Sequence, residues 1–232
     1  MVPNLETIGL DADDTLWHNE RFFKLTQERF ADLLAQHGDR DLLDARLLAA
    51  ERRNLGSYGF GVKGFVLSMI ETAVEVSGGT VPGPVLSELL AMGREMLAHP
   101  IDLFPHVKET VAGLASSHHL ILITKGDLLH QERKLAQSGL GDFFARVEIV
   151  SDKRPQTYAR IFGGTSGGAE RAMMVGNSMK SDVVPAIDAG SWGVFVPHDL
   201  AWDLEHADAP EDRRFRAIPD LGGLPDLVAE IG

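Results

Sequence analysis

Acidic and basic residues gather directly after short apolar runs in this chain of 232 residues. Asp11-Ala12-Asp13-Asp14-Thr15 follows the first run and Thr124-Lys125-Gly126-Asp127 the second. Ser151-Asp152-Lys153 follows the third, and Gly176-Asn177-Ser178-Met179-Lys180-Ser181-Asp182 the fourth. Charge concentrated in this way is costly unless a cation and an anion share the site. Asp11, Asp13 and Asp182 can share one hard cation, and Mg²⁺ suits an open set of carboxylates and waters. Thr124, the amides after it and Lys153 can hold a phosphoryl group. A carboxylate beside it can attack phosphorus and form an aspartyl-phosphate. A second carboxylate two residues on can protonate the leaving oxygen and then activate water. The cation would neutralise nucleophile and transferring group together.

Such a site needs elements that bring four distant segments to one edge. The apolar runs are Thr7–Leu10, 120–123, 147–150, 172–175 and 192–196, and they read as buried strands. The last four recur at intervals of roughly 20–30 residues with helical segments between, as strand–helix–strand units require. Residues 108–116 and 130–138 read as crossover helices, with Gly139 closing the second. A parallel sheet with helices on both faces follows, and such sheets bind ligands beyond the C-terminal ends of their strands. The first interval breaks the rhythm. Between Leu16 and Pro105 the apolar residues recur every three or four positions in four segments, marked by Phe30 and Leu34, Leu43 and Leu47, Phe65 and Met69, and Leu89 and Met96. The expected organisation is therefore an α/β core of residues 1–16 and 105–232, with a four-helix cap of residues 17–104 that closes over the site.

Composition narrows the classes. Hydrophobic residues make up 44% and charged residues 24%, so a packed core is expected. The chain has no cysteine, which excludes disulfides, thiolate metal sites and a cysteine nucleophile. A net charge of −12 disfavours a nucleic-acid-binding face, and an anionic substrate then needs a local positive site. No uncharged run is long enough to span a bilayer, and residues 1–6 lack the pattern of a signal peptide. The expectation is a cytoplasmic monomer or homodimer acting on a small molecule, without nucleic-acid or membrane partners. The glycine-rich stretch 163–168 lacks the following Lys-Ser/Thr of a phosphate-binding loop and precedes a strand, so it reads as a connection.

The four strand-end segments, in this order, resemble the four motifs of the haloacid dehalogenase-like (HAD) hydrolase superfamily. Asp11-Ala12-Asp13-Asp14-Thr15-Leu16 is similar to the first motif, Thr124 to the second, Lys153 to the third, and Gly176-Asn177-Ser178 through Asp182 to the acidic fourth. The resemblance covers the whole chain and implies a Rossmann-like sheet in the order 3-2-1-4-5. It implies Asp11 as nucleophile and Asp13 as acid/base, with Mg²⁺ bound through Asp11, the Asp13 carbonyl and Asp182. Two departures stand out. Asn177 occupies the place of a usual aspartate; its amide oxygen can still face the metal, at the loss of one negative charge. Lys153-Arg154-Pro155 replaces a lysine–proline pair, so Arg154 competes with Lys153 for phosphate. Lys125 is open to phosphate contact or a loop role, Gly126 offers a backbone amide, and Lys63 in its glycine-flanked loop can meet an anionic substrate. Asp14, without a role in this scheme, reads as a turn or helix cap, and Trp17 as a packing residue. The implied activity is Mg²⁺-dependent phosphomonoester hydrolysis. A 2-haloacid dehalogenase is the first rival, disfavoured by Asp13, which halide displacement does not need. A non-catalytic binding protein is the second, disfavoured by the intact set of Asp11, Asp13, Thr124, Lys153 and Asp182.

Overall fold

The computed structural model describes residues 5–200, 202, 205 and 207–232; residues 1–4, part of the segment read above for a leader, lie outside them. The chain divides into two compact units. The first comprises Met1–Glu20, Ile101–Lys125 and Gln131–Gly232, and the second Arg21–Pro100 and Gly126–His130.

The first unit is built on a parallel sheet. Its strands are β1 (Thr7–Leu10), β2 (His119–Lys125), β3 (Arg146–Val150), β4 (Ala172–Gly176), β5 (Trp192–Phe195) and β6 (Phe215–Ala217), in the order β3-β2-β1-β4-β5-β6. The first five strands carry the expected order, and β6 adds an edge. That strand escapes a reading by hydrophobicity because it has three residues and a central Arg216. β1 lies in the centre, with Thr7 opposite His119 of β2 and Ala172 of β4. Side chains alternate between the two faces with the strand period of two. Ile8, Leu10, Leu120, Leu122, Met173 and Val175 pack with residues of α5 (Val107–Ala115) and α9 (Leu224–Ile231). On the other face Ile121, Ile123 and Met174 meet Tyr158, Ile161 and Phe162 of α7 (Pro155–Gly163) and Ala186 of α8 (Val184–Asp188). Gly9 makes that second face close: a Cβ there would lie 2.9 Å from Ile123 Cδ1 and 3.1 Å from the Phe162 ring.

The sequence places Trp17 at the start of the insert, but it is buried among core residues of the first unit. Trp17 forms bridges with Asp13 and Leu103, and Phe104 N–H donates to the Leu16 carbonyl. Residues 17–20 and 101–104, expected with the insert, are thus grouped with the sheet. Helix α6 (Leu128–Ser138) begins in the second unit and continues in the first.

The second unit holds the rest of α1 (Glu20–Leu33), with α2 (Arg40–Tyr58), α3 (Val62–Val76) and α4 (Gly83–Ala98). Asp39 caps α2 by accepting from Leu42 N–H, and Gly59, at φ 72°, ends it. Phe30, Leu34, Leu43, Leu47, Phe65, Met69, Leu89 and Met96 form one core, as their spacing requires. Gly93 lets α3 and α4 cross closely, since a Cβ there would overlap Val66. The bridges from Arg29 to Glu88 and Glu95 are exposed, so this unit is held mainly by its apolar core. Glu51 of α2 is the exception to good polar pairing. Its Oε2 is buried without a protein partner among the described residues, and burial pushes its carboxyl up to about 7 despite the nearby Lys24.

A carboxyl raised in the folded state is protonated at low pH and opposes folding once it ionises. Stability therefore falls as pH rises from the ordinary glutamate value toward about 7. Glu51→Gln is expected to raise the unfolding temperature at pH 8 and leave it unchanged at pH 4. Calorimetry of both proteins at the two pH values checks this; an equal shift at both would place the carboxyl in solvent.

Candidate active site

The carboxyl ends of β1, β2, β3 and β4 bring the predicted residues of the first unit together. Asp11, directly after β1, donates its N–H to Val175 O of β4 at 2.9 Å, so its backbone is fixed to the sheet. Lys153, after β3, donates from Nζ to Asp11 Oδ1 and to Asp182 Oδ1, the latter at 2.6 Å. Asp182 Oδ2 accepts from Ser178 N–H at 2.9 Å. Asp11, Lys153 and Asp182 are 6%, 5% and 1% exposed, so the three charges interact with little screening by water.

Local backbone geometry makes this triad possible. Asp182 lies in a π-helical turn, Met179–Val183, a form concentrated at functional sites. Ser178 caps that turn by accepting from Ser181 N–H. Gly176 precedes it without a Cβ; one would overlap the Asp182 carboxylate. Asp14, at φ 59°, accepts from Asn19 and Glu20 N–H and so opens α1, the cap role expected for it.

Burial pushes the Asp11 carboxyl up to about 7; Asp182 adds to the rise and Lys153 opposes it. Burial works against the Lys153 ammonium, but the two carboxylates outweigh it and hold its pKa above the ordinary lysine value. Asp13 runs the other way. Burial alone would raise it, yet Lys134 and hydrogen bonds from Lys134, Trp17 and Gln131 hold its carboxyl below the ordinary value. The contacts are Trp17 Nε1 at 2.6 Å, Lys134 Nζ at 2.8 and 2.9 Å, and Gln131 Nε2 at 3.1 Å. Trp17, read as a packing residue, also points its indole N–H at a site carboxylate.

Thr124, in β2, accepts from Gln131 Nε2 at 2.7 Å. Lys125 donates to Ser181 Oγ at 2.8 Å and Glu205 Oε1 at 2.5 Å. Glu205 also accepts from the hydroxyls of Ser178 and Ser181. Of the two roles open to Lys125, this arrangement favours tying the β2 and β4 ends together. Arg154 is exposed and pairs with Asp152. Lys63 and Gly126 belong to the second unit, where Lys63 Nζ donates to Asp127 Oδ2 at 2.8 Å and Gly126 adopts φ 130°.

Sequence reading missed Gln131, Lys134 and Glu205. Gln131 and Lys134 stand three apart on α6, so they share a helix face, and both are buried. Their shared face could be read from the spacing, but that it points inward could not. Glu205 lies in the connection between β5 and β6, where no periodicity marks it.

The donor set fits a hard cation. One terminal atom of the Asn177 amide lies 3.2 Å from the Asp13 carbonyl oxygen and 3.3 Å from Asp11 Oδ2. With its oxygen there, it accepts from the Thr15 hydroxyl and stands from two further acceptors at about the 3 Å spacing of neighbouring ligands on a small octahedral ion. With its nitrogen there, the amide donates to both oxygens and occupies them itself. Among the described residues no three acidic or histidine side chains form a metal cluster, because this set mixes a carboxylate, a carbonyl and an amide. Asp182, also expected to face the ion, has its oxygens on Lys153 and Ser178 N–H, as Asp11 has its own on Lys153 and the Thr15 hydroxyl.

Comparison with known proteins defines the class. Residues 5–190 match the family model of the haloacid dehalogenase-like hydrolases, and the chain belongs to that family of enzymes. It is 26% identical over 208 residues to a glyceraldehyde 3-phosphate phosphatase from Methanothermobacter thermautotrophicus, covering 84% of this chain and 87% of that one. A haloacid dehalogenase-like hydrolase from Xanthomonas campestris has a similar crystal structure, with TM-score 0.89, 40% identity and coverage of 98% and 92% of the two chains. The HAD hydrolase YfnB from Bacillus subtilis, solved bound to magnesium, shares the fold at TM-score 0.68 and 16% identity, over 97% and 99%. No described helix is long and apolar enough to cross a membrane.

The Lys125–Glu205 pair generates a prediction. Burial would raise Glu205, but Lys125 and the serine hydroxyls hold its pKa below the ordinary value. A lowered carboxyl stabilises the fold above its unfolded pKa, and the gain is lost as pH falls through the folded value. Glu205→Gln should cost roughly 1–3 kcal/mol at pH 7, with the gap to the wild type narrowing on acidification below the ordinary glutamate range. Urea unfolding at pH 7 and pH 3 measures both; a gap that widens on acidification would contradict the pairing.

Proposed function

We propose that the enzyme hydrolyses phosphomonoesters of small metabolites through an aspartyl-phosphate on Asp11, with Mg²⁺ as cofactor. The observation that carries this reading is the Asp11–Lys153–Asp182 triad with a second carboxylate, Asp13, two residues from the nucleophile. The relative named as a phosphatase for a triose phosphate supports the same substrate class.

In the first step Asp11 attacks phosphorus, the bond from phosphorus to the ester oxygen breaks, and that oxygen takes a proton from Asp13. In the second step water attacks phosphorus, Asp13 accepts its proton, and the acyl-phosphate P–O bond breaks to release inorganic phosphate and restore Asp11. Since its neighbours favour the Asp13 carboxylate, the proton it delivers is taken up with the substrate monoanion, and the proton it takes from water leaves with inorganic phosphate. Lys153 and Thr124 hold phosphoryl oxygens, and Asp182 keeps the Lys153 ammonium in place. Mg²⁺, held by Asp11, the Asp13 carbonyl and Asn177, would supply positive charge against nucleophile and phosphoryl group.

The enzyme should turn over p-nitrophenyl phosphate with Mg²⁺ and stop in excess EDTA. Asp11→Asn should lower turnover by several orders of magnitude with an unchanged circular dichroism spectrum. Full activity in EDTA, or an active Asp11→Asn variant, would sink the reading.

Asn177→Asp should tighten Mg²⁺ by roughly tenfold, which corresponds to about 1.4 kcal/mol, because a carboxylate replaces a neutral oxygen at the same position. Isothermal titration with Mg²⁺ measures it. An unchanged affinity would mean that residue 177 does not face the ion.

A further inference from the structure

Asp13 is held more completely than a residue on a loop after a strand needs to be. Lys134 Nζ spans both carboxylate oxygens, at 2.8 and 2.9 Å, which fixes the plane of the group. Its third contact is Asn19 Oδ1 at 2.8 Å, so the buried ammonium has an acceptor for each proton. Trp17 pins Oδ1. Gln131 touches Oδ2 and, through the same Nε2, Thr124 Oγ1 and Lys125 O. Its Oε1 is buried and accepts from no protein donor among the described residues. That amide is thus committed as a donor at the cost of an unsatisfied acceptor, a burden a purely structural glutamine need not carry.

We propose that Lys134 and Gln131 of α6 are positioning residues that set the Asp13 carboxylate for proton transfer and tie it to Thr124. The proposal rests on the phosphatase reading, which gives Asp13 a proton to move. Proton transfer requires the acid or base within hydrogen-bond reach of the reacting oxygen, and a small displacement costs much of its effect. Lys134 sets the tilt of the carboxylate. Gln131 links it to the hydroxyl that faces the phosphoryl group, so the two sites keep one spacing. Gln131 makes its longest contact with Oδ2 and has two shorter ones elsewhere. Oδ2 is therefore the oxygen that can exchange Gln131 for water or the leaving oxygen while Lys134 and Trp17 keep their hold.

A double-mutant cycle tests this through Asp13. The proteins are Lys134→Met, Lys134→Arg, Asp13→Asn and the Asp13→Asn/Lys134→Met double, assayed with Mg²⁺ and p-nitrophenyl phosphate for kcat and KM separately. Asp13→Asn removes acid–base help worth about 10²–10⁴-fold, and Lys134→Met should lower kcat by at least about 10-fold with KM within about 2-fold. On the Asp13→Asn background the same change should alter kcat by less than about 2-fold. Lys134→Arg, which keeps the charge and two donors, should recover part of the loss. An equal loss with and without Asp13, or a loss confined to KM, would overturn the proposal. If Lys134→Met leaves an unpaired buried charge and fails to fold, the double variant, with both charges gone, should fold; a double variant that is also unfolded would overturn the proposal. If the wild type hydrolyses no phosphomonoester, the phosphatase reading falls by itself. The hold on Asp13 is then read from urea midpoints of the same four proteins: a shared loss supports it and additive losses refute it.

Discussion

The buried ammonium of Lys153 between Asp11 and Asp182 is the interaction on which the site depends. Removing two carboxylates and an ammonium from water costs several kcal/mol per ion, recovered only when geometry is good and remaining lone pairs are used. The chain meets both conditions through local devices. Asp182 spends its second oxygen on Ser178 N–H, and Asp11 spends its second on the Thr15 hydroxyl. Gly176 and the π-turn permit the fold-back that puts Asp182 within reach. Removal of Lys153 would leave two buried carboxylates facing each other without a cation, so its ammonium holds the three strand ends as a set.

Around that triad, charges cancel in pairs. Lys134 answers Asp13, and Lys125 answers Glu205. The two pairs carry no net charge, and the triad carries one positive and two negative charges, a net of −1. The high Asp11 pKa comes first from burial, which Lys153 opposes and Asp182 reinforces. A phosphate dianion would be repelled by such a site. On the proposed reading, a divalent cation held by Asp11, the Asp13 carbonyl and Asn177 would turn −1 into +1.

Much of this was legible in the sequence, and the rest was hidden for physical reasons. Buried parallel strands read as apolar runs, so β1 to β5 stood out, and the residues after each run were the ones to inspect. β6 was invisible because a three-residue edge strand has no run to detect. Asp11, Lys153 and Asp182 were legible because ionisable residues directly after buried strands have little other reason to be there. What Lys125 binds was not, since a lysine after a strand reads the same whether it meets phosphate or Glu205 from a segment 80 residues away. Lys134 sits in an amphipathic helix where a lysine is ordinarily solvated, and only the fold shows that its stripe faces Asp13.

The charge count also gives a reason for Asn177. On the proposed reading, an aspartate there would bind the cation more tightly, but the loaded site would carry 0 instead of +1. An amide keeps an oxygen toward the ion and leaves the positive surplus for the substrate. This matters more in a protein of net charge −12, which repels anions at long range and must attract them locally. The amide has a second consequence. When no cation is bound, it can turn its nitrogen toward Asp11 and Asp13 and satisfy the oxygens that would otherwise face one another. A carboxylate could not do so, and would place a further negative charge beside Asp11, which burial already pushes toward protonation. On that reading, an amide at position 177 would loosen the grip on metal and would ease the packing of the metal-free site.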